Sequence, residues 1–219
     1  MKSAAKRLAR PKVTLKFART LDGYIATKTG DSKWISSPQS RRFAHRLRSR
    51  HDAVLVGVNT VLKDNPRLDV RLVRGRNPVK IILDSRLRTP LTARLLQKDA
   101  KRTIIAVTHQ ASPRRIKQFE KLGVRILTLP GNRQGKVDLK VLLQRLTQLR
   151  INKLLVEGGS KVITTFLREK LVDRVLVITA PKIIGRGINS VGVLQGKRIR
   201  LSEVKVFQSG EDFVVEGKV

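Results

Sequence analysis

An α/β domain built on a largely parallel sheet is predicted by three observations. Apolar runs of strand length recur at residues 53–56, Val79–Leu83, Thr103–Val107 and residues 154–156, with segments of helical spacing between them. Several runs stop at a glycine or a small polar residue, among them Gly57, Ser85 and Gly158. The last two runs, 199–207 and 212–219, meet at Ser209-Gly210 with no helix between them, so the sheet should be mixed at one edge.

Residues 12–18 alternate as a strand does. Val13, Leu15 and Phe17 face one way, and Thr14, Lys16 and Ala18 the other, which aims Lys16 at solvent or into a site. Asp22-Gly23 is a turn, Tyr24–Thr27 a short returning strand, and Thr29-Gly30-Asp31-Ser32 a second turn. Ser37-Pro38 supplies a cap and a proline at the first helical position for a helix over about 38–50. Its Arg41, Arg42, Arg46, Arg48 and Arg50 read mostly as a solvated basic face. The strand at 53–56 runs into Gly57-Val58-Asn59-Thr60, the start of a short helix that ends over 64–68. Val79–Leu83 closes at Asp84-Ser85, and Thr103–Val107 precedes a helix from Ser112-Pro113 to Leu122, stopped by Gly123. Residues 124–129 form a strand, and Asp138 caps a helix striped with Leu139, Leu142, Leu143, Leu146 and Leu149. A strand over 172–180 ends at Pro181, with Gly185-Arg186-Gly187 as a flexible loop beyond it.

The chain is organised around residues 153–167, where the apolar run 154–156, Gly158-Gly159 and a helix carrying Val162, Ile163, Phe166 and Leu167 follow one another. Ser160 is expected to cap that helix. Glycine lets a ligand approach the backbone, and a helix start offers unpaired N–H groups to a phosphate. Glu157 stands at the carboxyl end of the strand, where open α/β sheets bind ligands. The same pattern also describes an ordinary β–α turn. Taken alone, the physics reaches a phosphate-binding α/β enzyme with a cleft along the strand ends.

At 219 residues, with 40% hydrophobic and 29% charged residues, the chain suits one globular domain over 12–219 behind a basic, flexible extension at 1–11. It has no cysteine, which excludes disulfides and thiolate metal centres, and His45, His51 and His109 stand at no metal-ligand spacing, so no metal site is expected. No apolar run has the length of a membrane span and no signal-peptide core follows Met1, so a cytoplasmic location is expected, without a membrane partner. Lys and Arg total 48 against 16 acidic residues, a net charge of +32 that attracts nucleotides, sugar phosphates or RNA. Aromatics are only 4% and stand in no nucleic-acid signature, so nucleic-acid binding is the weaker, non-enzymatic alternative.

Leu-Asp-Gly at 21–23, Thr-Gly-Asp-Ser-Lys-Trp-Ile at 29–35, Gly-Val-Asn-Thr-Val-Leu-Lys-Asp-Asn-Pro-Arg-Leu at 57–68, Leu-Asp-Ser at 83–85, Val-Glu-Gly-Gly-Ser at 156–160 and Ala-Pro-Lys-Ile-Ile-Gly at 180–185 occur in that order. Together they resemble the pyrimidine reductases of riboflavin biosynthesis, from about residue 12 to the end. The resemblance implies a dihydrofolate reductase-like fold, a homodimer, and NADPH-dependent reduction of the ribose of a ribosylamino-pyrimidine 5′-phosphate to a ribityl chain. Free-standing members of archaeal type act on the 2,5-diamino-pyrimidinone, and bacterial ones on the deaminated uracil. Without the cysteines and His-x-Glu of a zinc deaminase, the chain resembles the free-standing type.

The family pattern places cofactor contacts on Ala18, Trp34, Thr60, Asp64, Ser85 and the run Gly159, Ser160, Lys161, Val162, Ile163, Thr164 and Thr165. It places substrate contacts on Ser32, Arg48, Leu68, Arg71 and Glu157. Trp34 offers a flat face to a nicotinamide, and Arg48 and Arg71 can grip a phosphate by paired hydrogen bonds. Lys16 and Glu157 are the expected catalytic pair, an ammonium near C1′ and a carboxylate holding ribose hydroxyls. On that assignment Arg48→Ala would mainly raise KM, whereas Glu157→Gln would mainly lower kcat.

Overall fold

The buried apolar runs pair side by side because they are apolar through most of their length, so both faces must be covered. The structure, a computed structural model, describes residues 10–32, 35–196 and 198–219. The chain begins with β1 (Lys12–Thr20), β2 (Tyr24–Thr27) and α1 (Pro38–Ser49). It continues through β3 (Ala53–Gly57), α2 (Val58–Asp64), β4 (Val79–Leu83), the one-turn α3 (Arg94–Gln97), β5 (Thr103–Val107), α4 (Pro113–Lys121) and β6 (Arg125–Thr128). There follow α5 (Leu139–Gln148), β7 (Lys153–Val156), α6 (Ser160–Arg168), β8 (Arg174–Ala180), β9 (Gly187–Asn189), β10 (Ser202–Ser209) and β11 (Asp212–Lys218).

One nine-stranded sheet has the order β10-β11-β8-β1-β7-β3-β4-β5-β6. From β8 to β6 every neighbouring pair is parallel. The pairs β10–β11 and β11–β8 are antiparallel, so the mixed edge lies where the helix-free terminal runs place it. The carboxyl ends of seven strands therefore share one side of the sheet. Alternation splits the core into two layers. Leu15, Phe17, Leu55, Ile81, Leu154 and Val156 pack with Leu142, Leu143 and Leu146 of α5 and with Ile163 and Phe166 of α6. Val54, Val56, Ile82, Ile105 and Leu155 pack with residues of α2, α3 and α4 on the opposite face. That second face is completed by α1, whose Phe43 and Leu47 lie over Leu176, Ile178 and Val214.

Local signals set most element ends. Ser37 caps α1 by accepting the Ser40 amide at 3.2 Å, and Asp138 caps α5 by accepting the amides of Lys140 and Val141. Four expectations need correction. Gly159, not Ser160, is the N-cap of α6, and no side chain caps that helix. The loop at 185–187 contains the start of β9, which pairs with β2, and a side chain at Gly187 would run into the Ala26 carbonyl. The strand expected from 172 begins at Arg174, because the Asp173 carboxylate is taken by the Val13 amide and by Arg10. The same ion pair brings Arg10, assigned to the extension, into the folded part; residues 1–9 lie outside the described residues.

Candidate active site

The parallel ladder decides what stands over the strand ends. β7 lies between β1 and β3, and the Glu157 amide extends its pairing by donating to the Leu55 carbonyl at 2.9 Å. Val156 packs on the α5 and α6 face, so alternation turns Glu157 to the face that α1 covers. Lys16, between the inward-facing Leu15 and Phe17, turns to the same face. Here α1 presents two residues three apart, His45 and Arg48, on one stripe.

Arg48 and Glu157 form a two-pronged ion pair, Nε to Oε1 at 2.9 Å and Nη2 to Oε2 at 2.7 Å, with side chains only 13% and 12% exposed. The third nitrogen of Arg48 donates to the Asp69 carbonyl at 3.2 Å. Burial pushes the Glu157 carboxyl up, but the Arg48 charge and hydrogen bonds, with Lys16 and His45, outweigh it and hold the group down at about 2. Lys16 goes below the usual lysine range. Burial is the largest cause and Arg48 adds to it, while Glu157 and Asp212 act in the other direction. This cluster therefore holds a carboxylate that stays ionised beside an ammonium that gives up its proton more readily than a free lysine.

Next to this pair runs a short arm, residues 67–71. Leu68 takes a left-handed backbone (φ 54°) and buries its side chain in the core. Asp69 is gripped from both sides, by Arg67 Nε at 3.0 Å and Arg71 Nη1 at 2.5 Å. Burial pushes the Asp69 carboxyl up, but the hydrogen bond from Arg71 and the charges of both arginines bring it below the usual range. The backbone amide of Arg71 donates to His45 Nδ1 at 3.1 Å. Burial is the main cause that lowers His45, Arg48 and Arg71 add to it, and the result is about 4. The ring is therefore neutral at pH 7.

Of the residues assigned to a cofactor, Gly159 and Thr60 meet at the start of α6, directly after Glu157 in the chain. Gly159 has open space where a Cβ would sit, apart from Thr60 Oγ1 at 3.7 Å. Gly158 is a glycine for another reason: a Cβ there would meet the Val162 side chain at 2.5 Å, so the helix could not pack onto the strand end. Ile163 is wholly buried, and Thr164 and Thr165 donate their hydroxyls back to the carbonyls of Ser160 and Lys161. Of the run, Gly159, Ser160 and Lys161 at the helix start lie outside the core. Ser85 at the end of β4 accepts the Val137 amide at 3.2 Å. Ser32, assigned to substrate, donates to Asp64, assigned to cofactor, at 3.5 Å. Ala18 packs under α1. Trp34 lies outside the described residues. An uncapped helix start, an open glycine and hydroxyls at neighbouring strand ends fit the phosphates of a nicotinamide dinucleotide.

Two expectations change. Arg48 and Glu157, assigned separate jobs, hold each other, so they cannot fail independently. Sequence reading also passed over His45, Arg67 and Asp69 as site residues. The i, i+3 spacing of His45 and Arg48 was legible. The gripping of Asp69 was not, because arginines around an aspartate in a chain this basic stand out only in three dimensions.

Among the described residues no helix is long and apolar enough to cross a membrane, and no group of acidic residues and histidines could hold a metal. A family profile described as the RibD C-terminal domain matches residues 11–215. The chain is 46% identical over 211 residues to the riboflavin biosynthesis protein RibD of Aquifex aeolicus, covering 94% of this chain and 57% of that protein. It thus spans little more than half the length of that relative. It is 41% identical over 217 residues to the 2,5-diamino-6-ribosylamino-4(3H)-pyrimidinone 5′-phosphate reductase of Methanothermobacter thermautotrophicus, covering 94% of this chain and 97% of that protein. Among solved structures, RibD of Acinetobacter baumannii superposes with a TM-score of 0.84 at 27% identity, over 96% of this chain and 58% of that one. A dihydrofolate reductase from Enterococcus faecalis, 13% identical over 94% of this chain and 96% of its own, reaches 0.50 and shares the fold alone.

Proposed function

The chain belongs to the RibD C-terminal domain family, and from that premise we propose that it is an NADPH-dependent reductase of riboflavin biosynthesis. The reaction is reduction of the ribose of 2,5-diamino-6-(5-phosphoribosylamino)pyrimidin-4(3H)-one to the ribitylamino product. The observation that supports this reading is the Arg48–Glu157 pair, little exposed and electrostatically coupled to Lys16, together with the arginines at Asp69 and the uncapped start of α6. The near full-length similarity to the archaeal reductase supports the choice of substrate. The deaminated 5-amino-6-(5-phosphoribosylamino)uracil is the alternative, supported by the similarity to RibD.

In this reading the chain's own residues divide the work. Gly159, Ser160 and Lys161, with Thr60, Ser85, Asp64 and Ala18, hold the dinucleotide, which supplies the hydride received at C1′ when bound. Glu157, kept ionised by Arg48, accepts hydrogen bonds from ribose hydroxyls and fixes the sugar. Lys16 holds the proton that goes to the ring oxygen as the C1′–O bond breaks, so hydride and proton together open the ribose. Arg71 and Arg67 take the 5′-phosphate. Purified protein with NADPH and each pyrimidine in turn tests the reading. Turnover of the diamino compound at the higher kcat/KM supports it, preference for the uracil moves it to the alternative, and turnover of neither ends it. NADPH should exceed NADH in kcat/KM by about tenfold or more, given the basic surroundings; equal values would count against the cofactor choice.

The same reading makes the enzyme cytoplasmic and a homodimer joined through the terminal strands. In a chain of net charge +32, residues 202–219 carry four acidic against two basic residues, so a second copy meets least repulsion there. The outermost strand, β10, is exposed, with Val206 66% accessible on an open apolar face shared with Val204 and Phe213. Sedimentation in moderate salt should give a dimer, and Val206→Glu a monomer. A monomeric wild-type protein, or a dimer indifferent to the substitution, would refute this interface.

A further inference from the structure

We infer that His45 is a positioning residue for substrate phosphate: its Nδ1 lone pair, by accepting the Arg71 amide, sets the 67–71 arm so that Arg71 and Arg67 point into the site. The identity of the substrate rests on the reductase reading above; the hydrogen bond does not.

The arm needs such a device because it has no ladder of its own. Among the described residues, no backbone-to-backbone hydrogen bond holds residues 66–78. Side chains hold the arm at three successive residues instead. Arg48 donates to the Asp69 carbonyl, the Val70 amide donates to Asn77 Oδ1 at 2.7 Å, and the Arg71 amide donates to His45 Nδ1. An amide left without a partner in a half-buried place is costly, so each contact selects one arm conformation. His45 is well placed for this task. It is 4% exposed and sits one turn before Arg48 on α1, so the helix that locks Glu157 also locks the arm. An acceptor at Nδ1 puts the ring proton on Nε2. The charged groups facing the ring are Arg48 from α1, Arg71 and Asp69 from the arm, and Glu157 after β7. Burial and the two arginines outweigh the two carboxylates and keep the ring neutral near pH 7, so the Nδ1 lone pair can accept the Arg71 amide.

The arm also carries two partly exposed guanidiniums, those of Arg71 and Arg67. Arg71 and Arg67 flank Asp69, which spaces them while leaving donors on each unspent. Loss of the His45 contact would leave both side chains intact but free the arm, so the phosphate would lose a preformed receptor rather than a ligand. This differs from the loss of a catalytic group, which would lower kcat on any substrate.

The test compares His45→Ala with His45→Gln, whose amide oxygen can accept the Arg71 N–H. Ribose 5-phosphate binding by calorimetry is measured first, then steady-state kinetics on the phosphorylated pyrimidine and its dephosphorylated analogue. The expected result for His45→Ala is binding of ribose 5-phosphate weaker by about tenfold. A similar rise in KM for the phosphorylated substrate, little change in kcat, and little change on the analogue should accompany it. His45→Gln should recover most of the loss. If His45→Ala does not fold, His45→Gln decides alone, and weakening of ribose 5-phosphate binding by about tenfold in that variant overturns the proposal. Equal losses on both pyrimidines, or failure of wild-type protein to bind ribose 5-phosphate, also overturn it. Wild-type protein that binds ribose 5-phosphate but reduces neither pyrimidine would end the reductase reading and leave the binding comparison to judge His45.

Discussion

Arg48→Ala is expected to cost roughly 3–5 kcal/mol of folding stability and to remove activity on phosphorylated and dephosphorylated substrate alike. The reason is the state in which it leaves Glu157. With Arg48 gone, a nearly buried carboxylate loses a two-pronged partner, and the Asp69 carbonyl loses a donor. Desolvation then acts on Glu157 against less opposition, so the group moves up towards protonation and no longer offers an anion to the ribose. Glu157→Gln should do comparable harm from the other side, leaving a buried guanidinium facing an amide. Chemical denaturation and kinetics on the same samples check both. The double variant Arg48→Met with Glu157→Leu separates the effects: a buried pair replaced by apolar side chains of similar size should regain most of the stability and none of the activity. If Arg48→Ala is stable, active on the analogue and defective only on the phosphate ester, then Arg48 leaves Glu157 to bind phosphate and the pairing has no functional weight.

The same pair gives an acid signature. The folded pKa of Glu157 lies below its unfolded value, so the stability it contributes is present above the usual glutamate range near 4.5. That contribution is lost as pH falls through about 2. Its size is roughly 3 kcal/mol. Acid unfolding followed between these limits should be steep in the wild-type protein and flatter in the apolar double variant.

Lys16→Met should lower kcat by about 10²- to 10⁴-fold, the range for loss of a positioned proton donor, with little change in NADPH affinity. Methionine keeps most of the stem and removes the ammonium, so β1 and its neighbours should stay packed. In the wild-type protein the protonated form is the donor. Since burial and Arg48 bring Lys16 below the usual lysine range, kcat should fall as pH rises through that lowered value, sooner than a free lysine would allow. A Lys16→Met enzyme with wild-type kcat and an unchanged alkaline limb would leave the reaction to orientation alone.

Much of this protein is legible along the chain. The strand at 12–18 could be read because Val13, Leu15 and Phe17 alternate with polar residues, and α1 because Ser37-Pro38 marks its first turn. The turn from β7 through Gly158 and Gly159 into α6 showed in the same way, since periodicity, caps and glycines act over a few residues. The charge on α1 was harder to read. Arg41, Arg42, Arg46 and Arg48 look alike in sequence, yet Arg48 shares its helix face with His45 and is buried, so only this one meets Glu157.

Sequence by itself determined the main strands and helices (though not the short α3 and β9), their order and the sheet edge where the last two strands pair, because these follow from local pattern. Tertiary structure alone decided that β7 inserts between β1 and β3. That insertion brings Glu157 against Arg48 across 109 residues of chain and sets Lys16 beside both. No local propensity encodes such a contact. It exists because the apolar faces of seven parallel strands are covered best in this order, and the charged groups at their ends then lie too deep to remain unpaired.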